Sequence, residues 1–244
     1  MTRKLAVVVG IVVVVALAFG LGVIFFVSRG FRSTPSRPLP TGAVITEARL
    51  KAHRDVERLF RDVGVYCSRA PFTHYDTGTL DYCEVGQHNW KIHATFNNRC
   101  RYQVTKYYGF SGDFRVEMSQ LDSALIAWGW TRFGGGLPSM LSGYYDRWYG
   151  PDKPKPANFP RQYLVSNIPG VSYTRGPFRL FIRYEERDPT GQSASVPFDV
   201  LPMPWELSHQ EARVVDTRAL FPAILEKNRY VLVIGIMAED YFVN

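Results

Sequence analysis

The first 45 residues of this 244-residue chain contain no aspartate or glutamate. They hold Arg3, Lys4, Arg29, Arg32 and Arg37, so +5 of the formal charge of +7 sits there and only +2 is left for residues 46–244. A surface that tracks a phosphate backbone needs a clustered basic excess on the folded part, and this distribution argues against DNA or RNA as a partner. The chain also lacks G-x-S-x-G, H-E-x-x-H, G-x-x-x-x-G-K-[ST] and G-x-G-x-x-G. No nucleophile elbow, zinc-protease helix or phosphate-cradling loop is therefore announced. Gly134-Gly135-Gly136 runs on into Leu137-Pro138 without the lysine and hydroxyl that hold a nucleotide, and reads as a flexible turn. With 46% hydrophobic and 21% charged residues, what remains is the composition of an ordinary folded protein, neither disordered nor collagen-like.

What is present begins with Leu5 to Val27, 23 residues without a charge or a strongly polar side chain. As a helix this run is about 34 Å long, enough to cross a hydrocarbon core of about 30 Å. Its valines and isoleucines favour strands in water, but lipid offers no partner to an open strand edge and enforces internal backbone pairing. Arg3, Lys4 and the small-x-small triplet Ala16-Leu17-Ala18 also suit a cleaved signal peptide. The triplet sits mid-run, however, and Phe19 to Val27 continue the apolar stretch, beyond the roughly 7–15 residues of a signal-peptide core. We read residues 1–4 as a tail, 5–27 as an uncleaved transmembrane signal anchor, 28–45 as a linker and 46–244 as the folded domain. Three positive charges flank each side of the span, so the positive-inside rule ties. The cysteines and the short N-terminal tail break the tie in favour of a domain outside the cytoplasm.

Beyond the proline- and arginine-rich linker, Thr46 can cap a helix carrying Leu50, Val56, Leu59, Phe60 and Val63, with Gly64 as its stop. Ser68 to Tyr82 reads as loop. Trp90, Ile92, Ala94 and Phe96 alternate with polar residues as a half-buried strand does, and Cys100, Tyr102 and Val104 continue the alternation after a turn at Asn97-Asn98. Asp113 caps a helix whose stripe of Phe114, Met118, Leu121, Leu125 and Trp128 is core packing, closed by Gly129. A hairpin about Arg175-Gly176, a loop-like stretch over 188–211, a helix from Thr217 to Lys227 and a doubly covered strand from Tyr230 to Met237 complete the pattern. The fold class is α+β: a single N-terminal transmembrane helix followed by one domain of mostly antiparallel sheet with helices packed on one face.

All three cysteines and four of the five histidines fall within residues 53–100. Zinc sites commonly draw ligands in close pairs, and the cysteine spacings here are 16 and 17 residues, so neither a metal nor another cofactor is expected. Only His88 and His93 are close, and five apart on a strand they face opposite ways. A disulfide suits an extracytoplasmic domain better, and Cys67 with Cys83 closing the loop between them is the favoured pair, leaving Cys100 as a buried thiol. Cys83 with Cys100 is disfavoured because a strand at 90–96 would carry the chain away between them. Glu185, Glu186 and Asp188 at a strand end could serve as acid and base, although such residues are usually solvated. Tyr144, Tyr145, Arg147, Trp148 and Tyr149 combine flat rings with hydrogen-bonding tips suited to a sugar or a protein partner, and make a candidate binding loop. The competing role for these rings is to anchor the loop on the domain.

Leu121, Leu125 and the Ala-Trp-Gly-Trp ending of their helix (127–130), followed by a glycine-rich turn and a tyrosine-rich strand, resemble uncharacterised membrane- or lipid-anchored envelope proteins of actinobacteria. The resemblance covers residues 100–185. Arginine outnumbers lysine 22 to 7, which suits a GC-rich genome, while no lipid-attachable cysteine follows the apolar run. The resemblance brings no catalytic residues with it. The expected protein is a single-pass, extracytoplasmic binding or scaffolding protein, its partners the lipid bilayer and an envelope protein or glycan. An envelope hydrolase using the acidic or Cys/His cluster, and an accessory subunit of a membrane complex, are the alternatives.

Overall fold

A computed structural model of the chain describes residues 42–69, 71–86, 93–142, 170–186 and 207–243. The span at 5–27 and the candidate loop at 144–149 lie outside the described residues; among the described residues no helix is long and apolar enough to cross a membrane. The elements in chain order are α1 (Ala43–Cys67), β1 (Thr73–Val85), β2 (Asn98–Phe110), α2 (Phe114–Ala127), β3 (Thr131–Phe133), α3 (Gly136–Ser142), β4 (Gly170–Arg175), β5 (Phe178–Glu186), β6 (Leu207–Arg213), α4 (Thr217–Lys227) and β7 (Tyr230–Val243). Seven strands form one sheet in the order β3-β4-β5-β7-β2-β1-β6, and every pairing within it is antiparallel. The α+β class and the antiparallel sheet are thus as the sequence implies.

The helices do not share one face. Side-chain parity on the central strand β7 shows why: Tyr230, Leu232, Ile234, Ile236 and Ala238 enter the main core with α1, α2 and α3, while Val231 and Val233 point the other way and meet Phe221, Ile224 and Leu225 of α4. A strand with apolar residues at successive positions has two faces to cover, and α4 covers the second.

The helix α1 starts three residues before Thr46, whose hydroxyl instead donates back to the Gly42 carbonyl at 3.2 Å. Ile45 is drawn into contact with Cys83 and Cys100, which recruits the extra turn. Leu50 lies outside the buried stripe and is exposed, whereas Tyr66 and Cys67, beyond the expected stop at Gly64, are buried and carry the helix on. A Cβ at Gly64 would meet nothing within 4 Å, so Gly64→Ala should stabilise the protein by about 0.5–1 kcal/mol through helix propensity alone, read as a raised unfolding midpoint. In α2, Asp113 accepts from the Val116 amide at 2.9 Å. Its C-terminus closes with Gly129 at φ 84° and with Trp130 N–H to Leu125 O and Gly129 N–H to Ile126 O, the paired bonds of a Schellman cap. The β4–β5 hairpin turns on Gly176-Pro177 with Gly176 at φ 58°, the left-handed first position that a two-residue turn assigns to glycine.

Parts of two expected loops are strands. Of Ser68 to Tyr82, expected as loop, the residues from Thr73 on belong to the long strand β1, which runs to Val85 and pairs with β2, the place expected for a strand at 90–96. The polar stretch at 207–213 is the edge strand β6.

Candidate functional site

The register between β1 and β2 places Cys83 directly opposite Cys100, and the two form a disulfide. The favoured Cys67–Cys83 pairing is therefore wrong. The argument against 83–100 assumed a strand at 90–96 between them, whereas the strand carrying Cys83 is itself the partner of the strand carrying Cys100. Both cysteines are fully buried, and Cys67 is the free thiol, sealed at the end of α1. Burial pushes the Cys67 thiol up to about 12, so the reactive thiolate is scarce near neutral pH. Native protein at pH 8 should leave Cys67 unalkylated by iodoacetamide, with a single carbamidomethyl appearing by mass only after denaturant is added.

Beside the disulfide, the chain departs from a regular ladder. Strands β2 and β7 pair without interruption from Phe110↔Tyr230 to Tyr102↔Ala238; Glu239, Asp240 and Tyr241 then stand opposite Arg101 before pairing resumes at Cys100↔Phe242. Asp240 has φ 53° and is the one non-glycine residue in the left-handed region among the described residues. A bulge re-aims the side chains beside it, and here it delivers Tyr241 to Asp81 of β1. The Tyr241 hydroxyl donates to Asp81 Oδ1 at 2.8 Å and accepts from Arg49 Nε at 3.3 Å. Arg49 Nε also lies 3.2 Å from Asp81 Oδ2, and His53 Nε2 lies 2.8 Å from the same oxygen. The His53 ring stacks on Tyr102 at 3.7 Å between centroids. Asp81 is only 2% exposed, so a buried carboxylate is held by three donors from α1 and β7.

The electrostatics follow from that enclosure. Burial raises Tyr241 above the ordinary phenol range, with the Asp81 carboxylate adding to the rise and Arg49 opposing it. Burial also lifts Tyr102 to about 12, with Glu57 and Asp81 reinforcing it. Arg49 is pulled down by its own burial but ends above its ordinary value because Tyr241 and Asp81 hold the cation. An imidazole oriented by a buried carboxylate is half of a general-base apparatus. The other half is missing among the described residues: no serine, threonine or cysteine side chain is hydrogen-bonded to the His53 ring. What the arrangement does is fasten the first helix to the sheet.

On the outer side of the same sheet end, Arg99 and Arg101 bracket Glu84 at 2.9 and 3.0 Å and approach Asp240 at 3.5 and 3.4 Å. A second buried carboxylate, Asp122 of α2, accepts from Tyr173 Oη at 2.7 Å and is gripped by Arg132 through Nε and Nη2. The Tyr173 hydroxyl in turn accepts from the Leu137 amide at 2.9 Å. That bond fixes α3 after Gly134, Gly135 and Gly136, which have φ of 65°, 96° and 61°. The expected flexible turn is thus a pinned left-handed run. Burial pushes the Asp122 carboxyl up, but the bonds from Arg132 and Tyr173 outweigh it and leave it below the usual range. A depressed carboxyl stabilises the fold above its unfolded value of about 4, and the contribution is lost as pH falls through the folded value. The urea midpoint of the wild type should exceed that of Asp122→Asn at about pH 5, and the gap should shrink toward about pH 2.

Among the described residues, the other sequence candidates do not join the Asp81 cluster. Glu185 and Glu186 are consecutive on β5 and so face opposite ways; Glu186 pairs with Arg229 at 3.2 Å, and Asp188 lies outside the described residues. His74 bonds Thr77 at 3.0 Å, seven residues along β1 from Asp81, a strand distance of about 23 Å. His88 lies outside the described residues, as do Tyr144, Tyr145, Arg147, Trp148 and Tyr149. Among the described residues no group of three or more His, Cys, Asp or Glu could hold a metal ion. The Asp81 cluster carries no sequence motif; the visible signals were an aspartate among apolar neighbours at 80–83 and a helix with basic residues four apart at 49 and 53. Comparison with family models, curated proteins and solved structures found no match to this chain.

Proposed function

We propose that the chain is a single-pass, membrane-anchored protein of the cell envelope whose C-terminal α+β domain lies outside the cytoplasm and binds or scaffolds an envelope protein or glycan. The observation that carries the placement is the Cys83–Cys100 disulfide, buried in the sheet. Structural disulfides persist in oxidising compartments and are rare in the cytosol. Joined to an apolar run long enough to span lipid, it favours insertion with the domain outward. The opposite facing of Glu185 and Glu186 on β5 and the closure of two of the three cysteines into a disulfide favour binding over hydrolysis. The aromatic segment at 144–149 supplies the ring surfaces for a sugar or protein partner, and kinship with actinobacterial envelope proteins belongs to the same proposal.

Membranes from cells expressing the full chain test this. The protein should remain in the pellet after alkaline carbonate washing and be cleaved by protease added outside intact spheroplasts. Release by carbonate, or cleavage only after lysis, would overturn the placement.

A further inference from the structure

Four chain segments converge at one pole of the domain: α1 begins there, β1 and β7 end there, and β2 starts there. Ile45 packs on the buried disulfide, with Tyr241 and Phe242 against it. At the same pole Val44, at the start of α1, is 74% exposed, and Val243, at the end of β7 opposite Arg99, is 51% exposed. Phe96 lies at the same end, with the Arg99 guanidinium 4.4 Å from its ring centroid, a pairing of apolar ring and cationic tip suited to the boundary between hydrocarbon and headgroups.

We infer that this pole is the lipid-facing surface of the domain, with Val44 and Val243 seated among the headgroups of the bilayer that holds residues 5–27. The inference rests on the membrane-anchored reading and adds an orientation to it. The linker supplies the argument. Fifteen residues, three of them proline, separate Val27 from Ala43, a span of about 20 Å as flexible coil, about 46 Å as extended polyproline and about 50 Å at the stretched limit. The chain enters the domain at the Ala43 pole, so that pole is the one the linker ties nearest to the membrane. Presenting the other pole requires the linker to run back along all 25 residues of α1, about 37 Å, as well as clear the headgroups, which takes it close to full extension. The exposed valines are too small an area to hold a free domain on lipid but enough to orient one already tethered. The pole is also rigid. The disulfide, the Asp81 cluster and the Arg99–Glu84–Arg101 bracket all brace it, so the valines are presented on a fixed frame.

Val65 provides a matched control: the same residue type, also 74% exposed, near the far end of α1. Full-length Val44→Cys, Val243→Cys and Val65→Cys variants, labelled with an environment-sensitive fluorophore without reductant, are reconstituted into phosphatidylethanolamine and phosphatidylglycerol vesicles. A nitroxide-bearing lipid should quench the labels at 44 and 243 about threefold or more over the label at 65, with the order reversed for aqueous iodide. Equal lipid quenching at all three positions would overturn the inference. So would protection of position 44 from iodide without lipid quenching, which would assign the surface to a second copy of the chain. Failure of the full chain to float with the vesicles would remove the anchored reading, and this surface with it.

Discussion

Replacing Cys83 and Cys100 together by alanine should lower the unfolding free energy by about 3 kcal/mol, through the restored entropy of the unfolded loop. The two cysteines are 17 residues apart, and in a domain of roughly 200 residues the loss corresponds to a fall of about 6–12 °C in Tm. Calorimetry on the full chain in detergent measures it. The same bond sits under Ile45 and beside the Tyr241 bulge, so its removal should also raise amide exchange at the N-terminus of α1 before it does so in α2. A midpoint unchanged within about 1 °C would mean that the ladder between β1 and β2 holds the pole by itself.

Asp81→Ala should cost still more, about 3–5 kcal/mol, because it strands the half-buried Arg49 cation and removes the acceptor that His53 and Tyr241 share. Asp81→Asn, which keeps an acceptor oxygen and the side-chain volume, should lose less. Urea unfolding of both variants against wild type gives the comparison. Equal losses would mean that the negative charge, and not the geometry of acceptance, holds α1 on the sheet. A loss below about 1 kcal/mol in Asp81→Ala would show that α1 is held by its apolar stripe alone.

Where one periodicity dominated, the elements were legible in the sequence. The stripe from Phe114 to Trp128, with Asp113 before it and Gly129 after it, specifies α2 and both of its caps, and the unbroken apolar run at 230–237 specifies a central strand covered on both sides. Helix α4 was legible from its start at Thr217 to its end at Lys227. Strand β1 was not, because a buried polar residue interrupts the alternation that identifies a strand: Asp81 occupies a core-facing position, and Gly78 and Thr79 look like turn residues. The misplaced disulfide followed directly from that, since pairing of cysteines depends on strand register, which sequence separation does not reveal. The edge strand β6 is polar and paired through β1, so it leaves no hydrophobic pattern to find. The Asp81 cluster joins residues 49, 53, 81, 102 and 241, brought together by a bulge whose only local sign is Asp240 in a left-handed conformation. Contacts of that kind are written in tertiary packing and not in spacing.

The most direct test of the account is a peptide map, under thiol-trapping and non-reducing conditions, of the chain isolated from the membranes of its own cells. The account predicts a peptide pair linked through Cys83 and Cys100, with Cys67 blocked only after unfolding and all of it in the carbonate-resistant fraction. Three reduced thiols on a chain recovered from the soluble fraction would contradict it.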